Sequence, residues 1–198
     1  MARLTTAIYT ADFLGRVLAP LANLMKFLKT LSFVGCYLAL SLFAHGDPLA
    51  VGAPAPDVTA PDQDGKLVNF KSVYAKGTTL VYFYPKADTP GCTKQACSLR
   101  DDWKTLREKG IQVLGVSEDK PEDQKKFQDK YTLPFTLIAD TDGKVATAFG
   151  VPFRGKVTAR QSFLIKDGKV VWNMLDKTST TTHAADVLKA AEEVAKKS

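Results

Sequence analysis

Two cysteines, Cys92 and Cys97, stand five residues apart directly after the run Tyr82-Phe-Tyr-Pro-Lys-Ala-Asp-Thr-Pro-Gly91. An apolar stretch enters a Pro/Gly turn, and the turn opens a helix. Such a turn favours a thiolate, because the unpaired amides of the first helical turn and the positive end of the helix dipole both attract negative sulfur. Cys92 follows Pro90-Gly91 and therefore lies in that first turn, whereas Cys97 lies deeper. On one regular helix their Cα atoms would be about 8–9 Å apart, while a disulfide needs less than about 7 Å. Either the pair never bonds, or the start of the helix unwinds when it does. Lys86, Lys94 or a distant arginine are the candidate positive charges; neither His45 nor His183 is near in sequence.

The elements around this pair must come from a chain of 198 residues with 45% hydrophobic and 24% charged residues. That is ordinary globular composition for one domain with an appendage. The net charge of +6 is partly carried by residues 1–46, which hold Arg3, Arg16, Lys26 and Lys29 against Asp12 alone. No basic run with interleaved aromatics occurs, so nucleic acid is not an expected partner. Cys36 belongs to the apolar leader. The two remaining cysteines are too few and too close for a structural disulfide framework, and read as a redox or metal pair.

Residues 1–46 read as a leader and 47–198 as the folded domain. Leu28 to Ala44 is almost wholly apolar, follows Lys26 and Lys29, and leads into Ala44-His45-Gly46. Small residues at Ala44 and Gly46 fit signal-peptidase cleavage before Asp47. With residues 1–24 included, the charged region is too long; from Met25 onward it is an ordinary secretory signal. Translation is therefore expected to begin at Met25 and the domain to be exported to the periplasm or beyond. The competing reading is an uncleaved membrane anchor, since the run is near the lower limit of a span. A transit peptide is disfavoured because the segment is neither Ser-rich nor strongly Arg-rich. Phe33-Val-Gly-Cys36 is a poor lipoprotein box, because the apolar run continues past Cys36.

In the domain, Ala53-Pro-Ala-Pro56 is an extended linker or the entry to a first strand. Residues 57–60 and 66–70 flank a Pro61–Gly65 turn and predict a hairpin. Thr78–Tyr84 and Ile111–Ser117 read as buried strands. Between them, residues 93–108 form one predicted helix, with Ala96, Leu99, Trp103 and Leu106 at helical spacing and Gly110 as its stop. A charged helix over 121–130, a strand over 135–139 and a short helix over 145–149 follow. Residues 161–165 and 170–174 flank Lys166-Asp-Gly-Lys169, a hairpin signal. A closing amphipathic helix covers 182–196. The order ββ, βαβαβα, then a hairpin and a helix predicts a thioredoxin-like α/β sandwich with an N-terminal β-hairpin extension.

Pro85-Lys-Ala-Asp-Thr89-Pro-Gly-Cys92 matches the signature Pro-x-x-x-Thr-x-x-Cys. On that motif the chain resembles the peroxiredoxins, and Cys97 at the fifth position beyond resembles the resolving cysteine of their bacterioferritin comigratory protein/PrxQ subfamily. The resemblance runs from about Val51 to the C-terminus and includes Leu133-Pro-Phe-Thr-Leu-Ile-Ala-Asp140 and Arg160-Gln-Ser-Phe-Leu-Ile165. It implies a thiol peroxidase in which Cys92 attacks hydrogen peroxide or an organic hydroperoxide and becomes a sulfenic acid. Thr89 would bond the sulfur and the incoming oxygen, and Pro85 would shield the pocket from water. Arg160 would favour the thiolate and polarise the peroxide, with amides near Gly91 and Cys92 completing the site. Cys97 would then close an intramolecular disulfide, reduced by a thioredoxin-like donor. No cofactor or metal is implied. The protein is expected to be a monomer, with a dimer as the alternative, and to meet a membrane only through an uncleaved leader.

Each of these residues has a plainer reading. Thr89 alone is a helix N-cap, Pro85 a strand terminator, Arg160 a surface charge and Cys97 a core thiol. Trp103 reads as core and His183 as surface or capping. Phe149 and Phe153 read as core rather than as an apolar collar at the site. The rival functions are a thiol–disulfide oxidoreductase, which normally carries the Cys-x-x-Cys absent here, and a copper chaperone of the same fold using Cys92, Cys97 and His183. A structural or chaperone role without turnover is a third.

Overall fold

The computed structural model describes residues 46–176 and 179–197. The leader, its Met25 start and its apolar run lie outside the described residues. The domain is built on a five-stranded sheet in the order β5-β4-β3-β8-β9. Its strands are β3 (Thr79–Phe83), β4 (Gln112–Ser117), β5 (Thr136–Ala139), β8 (Gln161–Lys166) and β9 (Lys169–Met174). β3, β4 and β5 run parallel through helical crossovers; β8 returns antiparallel to β3, and β9 pairs antiparallel with β8. Successive side chains of β3 point to opposite faces, and both faces are buried. Val81 and Phe83 join Phe70, Val116, Phe149 and Phe163 on one side. Leu80, Tyr82 and Tyr84 join Cys92, Leu99, Phe127 and Leu137 on the other.

α1 (Phe70–Tyr74) and α5 (Lys144–Ala148) supply the first face; α2 (Pro90–Asp101), α3 (Trp103–Glu108), α4 (Pro121–Tyr131) and α6 (His183–Lys197) supply the second. The expected N-terminal hairpin is present as β1 (Thr59–Pro61) and β2 (Leu67–Asn69), which pair antiparallel. Ahead of it, Pro54 bridges Lys169 at the start of β9. A two-residue ribbon, β6 (Phe153–Arg154) with β7 (Val157–Thr158), precedes β8.

Three expectations need correction. The single helix over 93–108 is two helices: it begins at Pro90, and Asp102, with φ −94° and ψ 12°, ends one and opens the next. Proline is well suited to an opening position, since its missing N–H has no helical partner there. His183 is neither exposed nor a surface cap. It is fully buried at the start of α6, with its Nε2 3.3 Å from Ser162 Oγ. Burial pushes its imidazole down to about 4, with the Arg160 charge adding to the effect. Of the two aromatics, Phe149 is core, but Phe153 is 45% exposed on the β6–β7 ribbon.

Candidate active site

The site forms where β3 ends and β8 begins. Antiparallel pairing sets Phe83 opposite Gln161, so the residue before Gln161 lies beside the residues that follow Phe83. Arg160 is thereby carried to the turn of Pro85–Thr89, although 68 residues separate it from Cys92. Its Nη2 donates to Cys92 Sγ at 3.3 Å, and its Nη1 donates to Gln95 Oε1. Gly91 lies against this guanidinium: a Cβ there would stand 3.4 Å from Arg160 Nη2, at ordinary contact distance.

Cys92 is the third residue of α2 and is 2% exposed. Pro90 has no amide proton, and the Thr93 amide already donates to Thr89 O at 2.8 Å. Gly91 and Cys92 therefore hold first-turn amides with no carbonyl of their own helix to bind, at its positive end. A guanidinium, a helix N-terminus and a buried sulfur thus converge. The arrangement suits a thiolate and a developing negative charge on an oxygen brought against it.

Thr89 occupies the N-cap position, but its side chain makes no cap; its Oγ1 donates to Lys86 O at 3.0 Å. Pro85 is half-buried at the mouth of the turn, immediately after the buried Tyr84. Cys97 lies on the same helix as a free, half-buried thiol, and Cys92 is also free. Both cysteines sit near Tyr82, whose phenol is held well above its ordinary value chiefly by burial. The register that pairs Tyr82 with Gly115 makes this ring fit, since a Cβ at Gly115 would come within 2.7 Å of the Tyr82 hydroxyl.

The structure therefore brings Cys92, Arg160, Thr89 and Pro85 to one end of the sheet, with Cys97 further along α2. It does not bring His183 into a metal-binding group. Among the described residues no group of three His, Cys, Asp or Glu side chains is placed to hold a metal. Trp103 packs its ring on Phe135 at 5.9 Å, beside a surface depression of about 620 Å³ that includes neither cysteine.

One residue escaped the sequence reading. Gln95 is fully buried and orients Arg160. A signal for it exists: Cys92, Gln95, Ala96 and Leu99 follow the i, i+3, i+4, i+7 stripe of the buried helix face. A glutamine in an otherwise apolar stripe calls for a buried polar partner.

Comparison with known proteins identifies the family. Residues 51–173 match the AhpC/TSA family. Peroxiredoxin Bcp of Escherichia coli (strain K12) is 46% identical over 150 residues, covering 72% of this chain and 95% of the relative. The chloroplastic peroxiredoxin Q of Oryza sativa subsp. japonica is 39% identical over 141 residues, covering 70% and 64%. Peroxidoxin BcpB from Mycobacterium tuberculosis superposes with a TM-score of 0.69 at 33% identity, over 73% of this chain and 97% of that one. The chain belongs to the AhpC/TSA family. Within it, the chain is a peroxiredoxin of the bacterioferritin comigratory protein/PrxQ type, and so a thiol peroxidase with a thioredoxin-like fold. Neither the copper-chaperone nor the oxidoreductase reading is favoured by these relatives.

Proposed function

We propose that Cys92 is the peroxidatic thiolate and Cys97 the resolving thiol of an intramolecular two-cysteine cycle. The observation that carries this is the 3.3 Å contact between Arg160 Nη2 and the buried Cys92 sulfur at the head of α2. Cys92 Sγ attacks one oxygen of hydrogen peroxide or an organic hydroperoxide. An S–O bond forms, the O–O bond breaks, and the leaving oxygen takes up a proton to depart as water or an alcohol. Arg160 and the Gly91 and Cys92 amides stabilise the charge that develops on that oxygen. Thr89 shifts its hydroxyl from Lys86 O toward the peroxide, and Pro85 keeps water from the sulfur.

The Cys97 sulfur then attacks the Cys92 sulfenic acid, forming S–S, breaking S–O and releasing water. The helical separation of about 8–9 Å requires the first turns of α2 to unwind for this step. A thioredoxin-like dithiol returns the pair to two thiols by exchange. The protein acts as a monomer, and the apolar leader exports it, so that its donor is an extracytoplasmic thioredoxin-like protein. Among the described residues no helix is long and apolar enough to cross a membrane.

The test is disulfide mapping after one equivalent of peroxide, together with stopped-flow oxidation. A Cys92–Cys97 bond is expected in the wild type. Its absence would defeat the two-cysteine cycle, and wild-type oxidation in Cys92→Ser would defeat the assignment of the nucleophile. For export, the mature N-terminus measured by mass spectrometry is expected at Asp47; soluble protein beginning at Met1 or Ala2 would overturn it.

A further inference from the structure

The unwinding that joins the two sulfurs has boundaries in this structure. Asp88 lies in the turn ahead of Cys92 with φ 58°, a left-handed conformation that Asp and Asn tolerate better than other non-glycine residues. Its carboxylate is held from α4. Lys130 Nζ donates to Oδ2 and Oδ1 at 2.7 and 2.9 Å, and the Tyr131 hydroxyl donates to Oδ1 at 2.6 Å. These hydrogen bonds from Lys130 and Tyr131 keep the Asp88 carboxyl below its ordinary range. Downstream, Arg100 Nη1 donates to the backbone oxygen of the same Tyr131 at 2.9 Å. Ser98 Oγ also accepts the Ala184 amide of α6 at 3.1 Å. Tyr131 thus touches the turn before Cys92 through its hydroxyl and the helix after Cys97 through its carbonyl. The segment between these two attachments, residues 89–99, holds the N-cap and the part of α2 that contains both sulfurs.

We infer that the Asp88–Lys130–Tyr131 clasp is a positioning device that holds the peroxidatic turn folded and sets how often α2 unwinds for resolution. The inference rests on the two-cysteine cycle proposed above. While the clasp is closed, Cys92 stays beside Arg160 and reacts with peroxide, and Cys97 stays out of reach. Opening it releases the upstream end of the segment while Ser98 and Arg100 keep the downstream end attached. The sulfenic acid at Cys92 therefore partitions between two fates. Cys97 attack gives the disulfide and water. A second peroxide, still arriving in the folded site, inserts one oxygen to give the sulfinic acid and leaves as water or an alcohol. A tighter clasp favours the second fate and a looser one the first.

Tyr131→Phe deletes only the hydroxyl and keeps the ring packed on Phe127, with centroids 5.4 Å apart. Asp88→Gly removes the carboxylate but tolerates the positive φ. In the full chain, stopped-flow oxidation with excess peroxide reads the first oxidation and the disulfide step separately, and mass spectrometry reads the sulfinic acid at Cys92. In both variants the disulfide step is expected to accelerate about threefold to tenfold, since Tyr131→Phe removes one hydrogen bond to the carboxylate and Asp88→Gly removes that bond together with the exposed Lys130 pair. The sulfinic yield falls in proportion. A merely structural role would slow both steps and leave the partition unchanged. If the wild type forms the disulfide and the variants form it at the same or a lower rate, the clasp is refuted and the cycle stands. If the wild type forms no Cys92–Cys97 bond at all, the cycle falls and the clasp with it.

Discussion

Cys92 and Cys97 share one helix, yet their surroundings have little in common. Cys92 is in the first turn, 2% exposed, with a guanidinium 3.3 Å from its sulfur and the helix N-terminus beneath it. Cys97 is half-buried in the body of the helix, where backbone amides are spent on i→i−4 bonds and no longer face outward. The same side chain is thus placed where negative charge is stabilised at one position and where it gains little at the other. On the proposed cycle this difference assigns the order of events. The sulfur that meets peroxide is fixed and charge-stabilised, whereas the sulfur that resolves must wait for the helix to open.

The largest effect that tests this contrast is at Cys92 itself. Cys92→Ser should abolish peroxide consumption, read by stopped-flow oxidation, because a hydroxyl is not ionised at neutral pH. Arg160→Met should slow the same step by about 10²-fold, the usual loss when one preorganised donor to a developing negative charge is removed. If Arg160→Met reacts at the wild-type rate, the guanidinium is not what distinguishes the two ends. Cys97→Ser should leave the first oxidation within about threefold, since the near-isosteric change at a half-buried position leaves Cys92, Arg160 and the helix N-terminus in place, while abolishing the disulfide and steady-state turnover with a dithiol donor. A Cys97→Ser variant that loses the first oxidation as well would erase the division of labour.

A test on stability rather than rate concerns the helix that packs behind the site. His183 is neutral in the fold, with its imidazole pushed down to about 4 by burial, while in the unfolded chain it titrates at its ordinary value of about 6.5. The unfolded state therefore binds the extra proton first as pH falls. Stability is full above about pH 6.5 and declines between there and about pH 4. A shift of this size corresponds to a contribution on the order of 3 kcal/mol. Urea unfolding of wild type and His183→Gln at pH 7 and pH 4.5 should show a smaller acid loss in the variant; equal losses would contradict the burial-driven titration.

Much of the fold was legible because its signals are local. The near-continuous apolar, β-branched and aromatic runs within residues 79–83 and 112–117 mark strands buried on both faces. Lys166-Asp-Gly-Lys169 marks the β8–β9 turn. The break at Asp102 was not legible, since both halves carry the same helical period and only the backbone angles at Asp102 separate them. The two cysteines and Thr89 were visible in one short motif. Gln95 was hidden inside that motif's helix, and the burial of His183 depended on which side of α6 meets the sheet.

By itself the amino-acid sequence determined that a thiol stands at the head of a helix with a second thiol five residues on, because both facts follow from chain spacing and turn chemistry. It also limited the pair to bonding only when the helix opens, by the fixed rise of an α-helix. Tertiary structure alone decided the rest. The antiparallel return of β8 beside β3 brings Arg160 across 68 residues to Cys92. The packing of α4 against the turn places Tyr131 and Lys130 on Asp88. Contacts of that range depend on sheet register and helix docking, which no local sequence pattern encodes, so they emerge only when the elements are assembled.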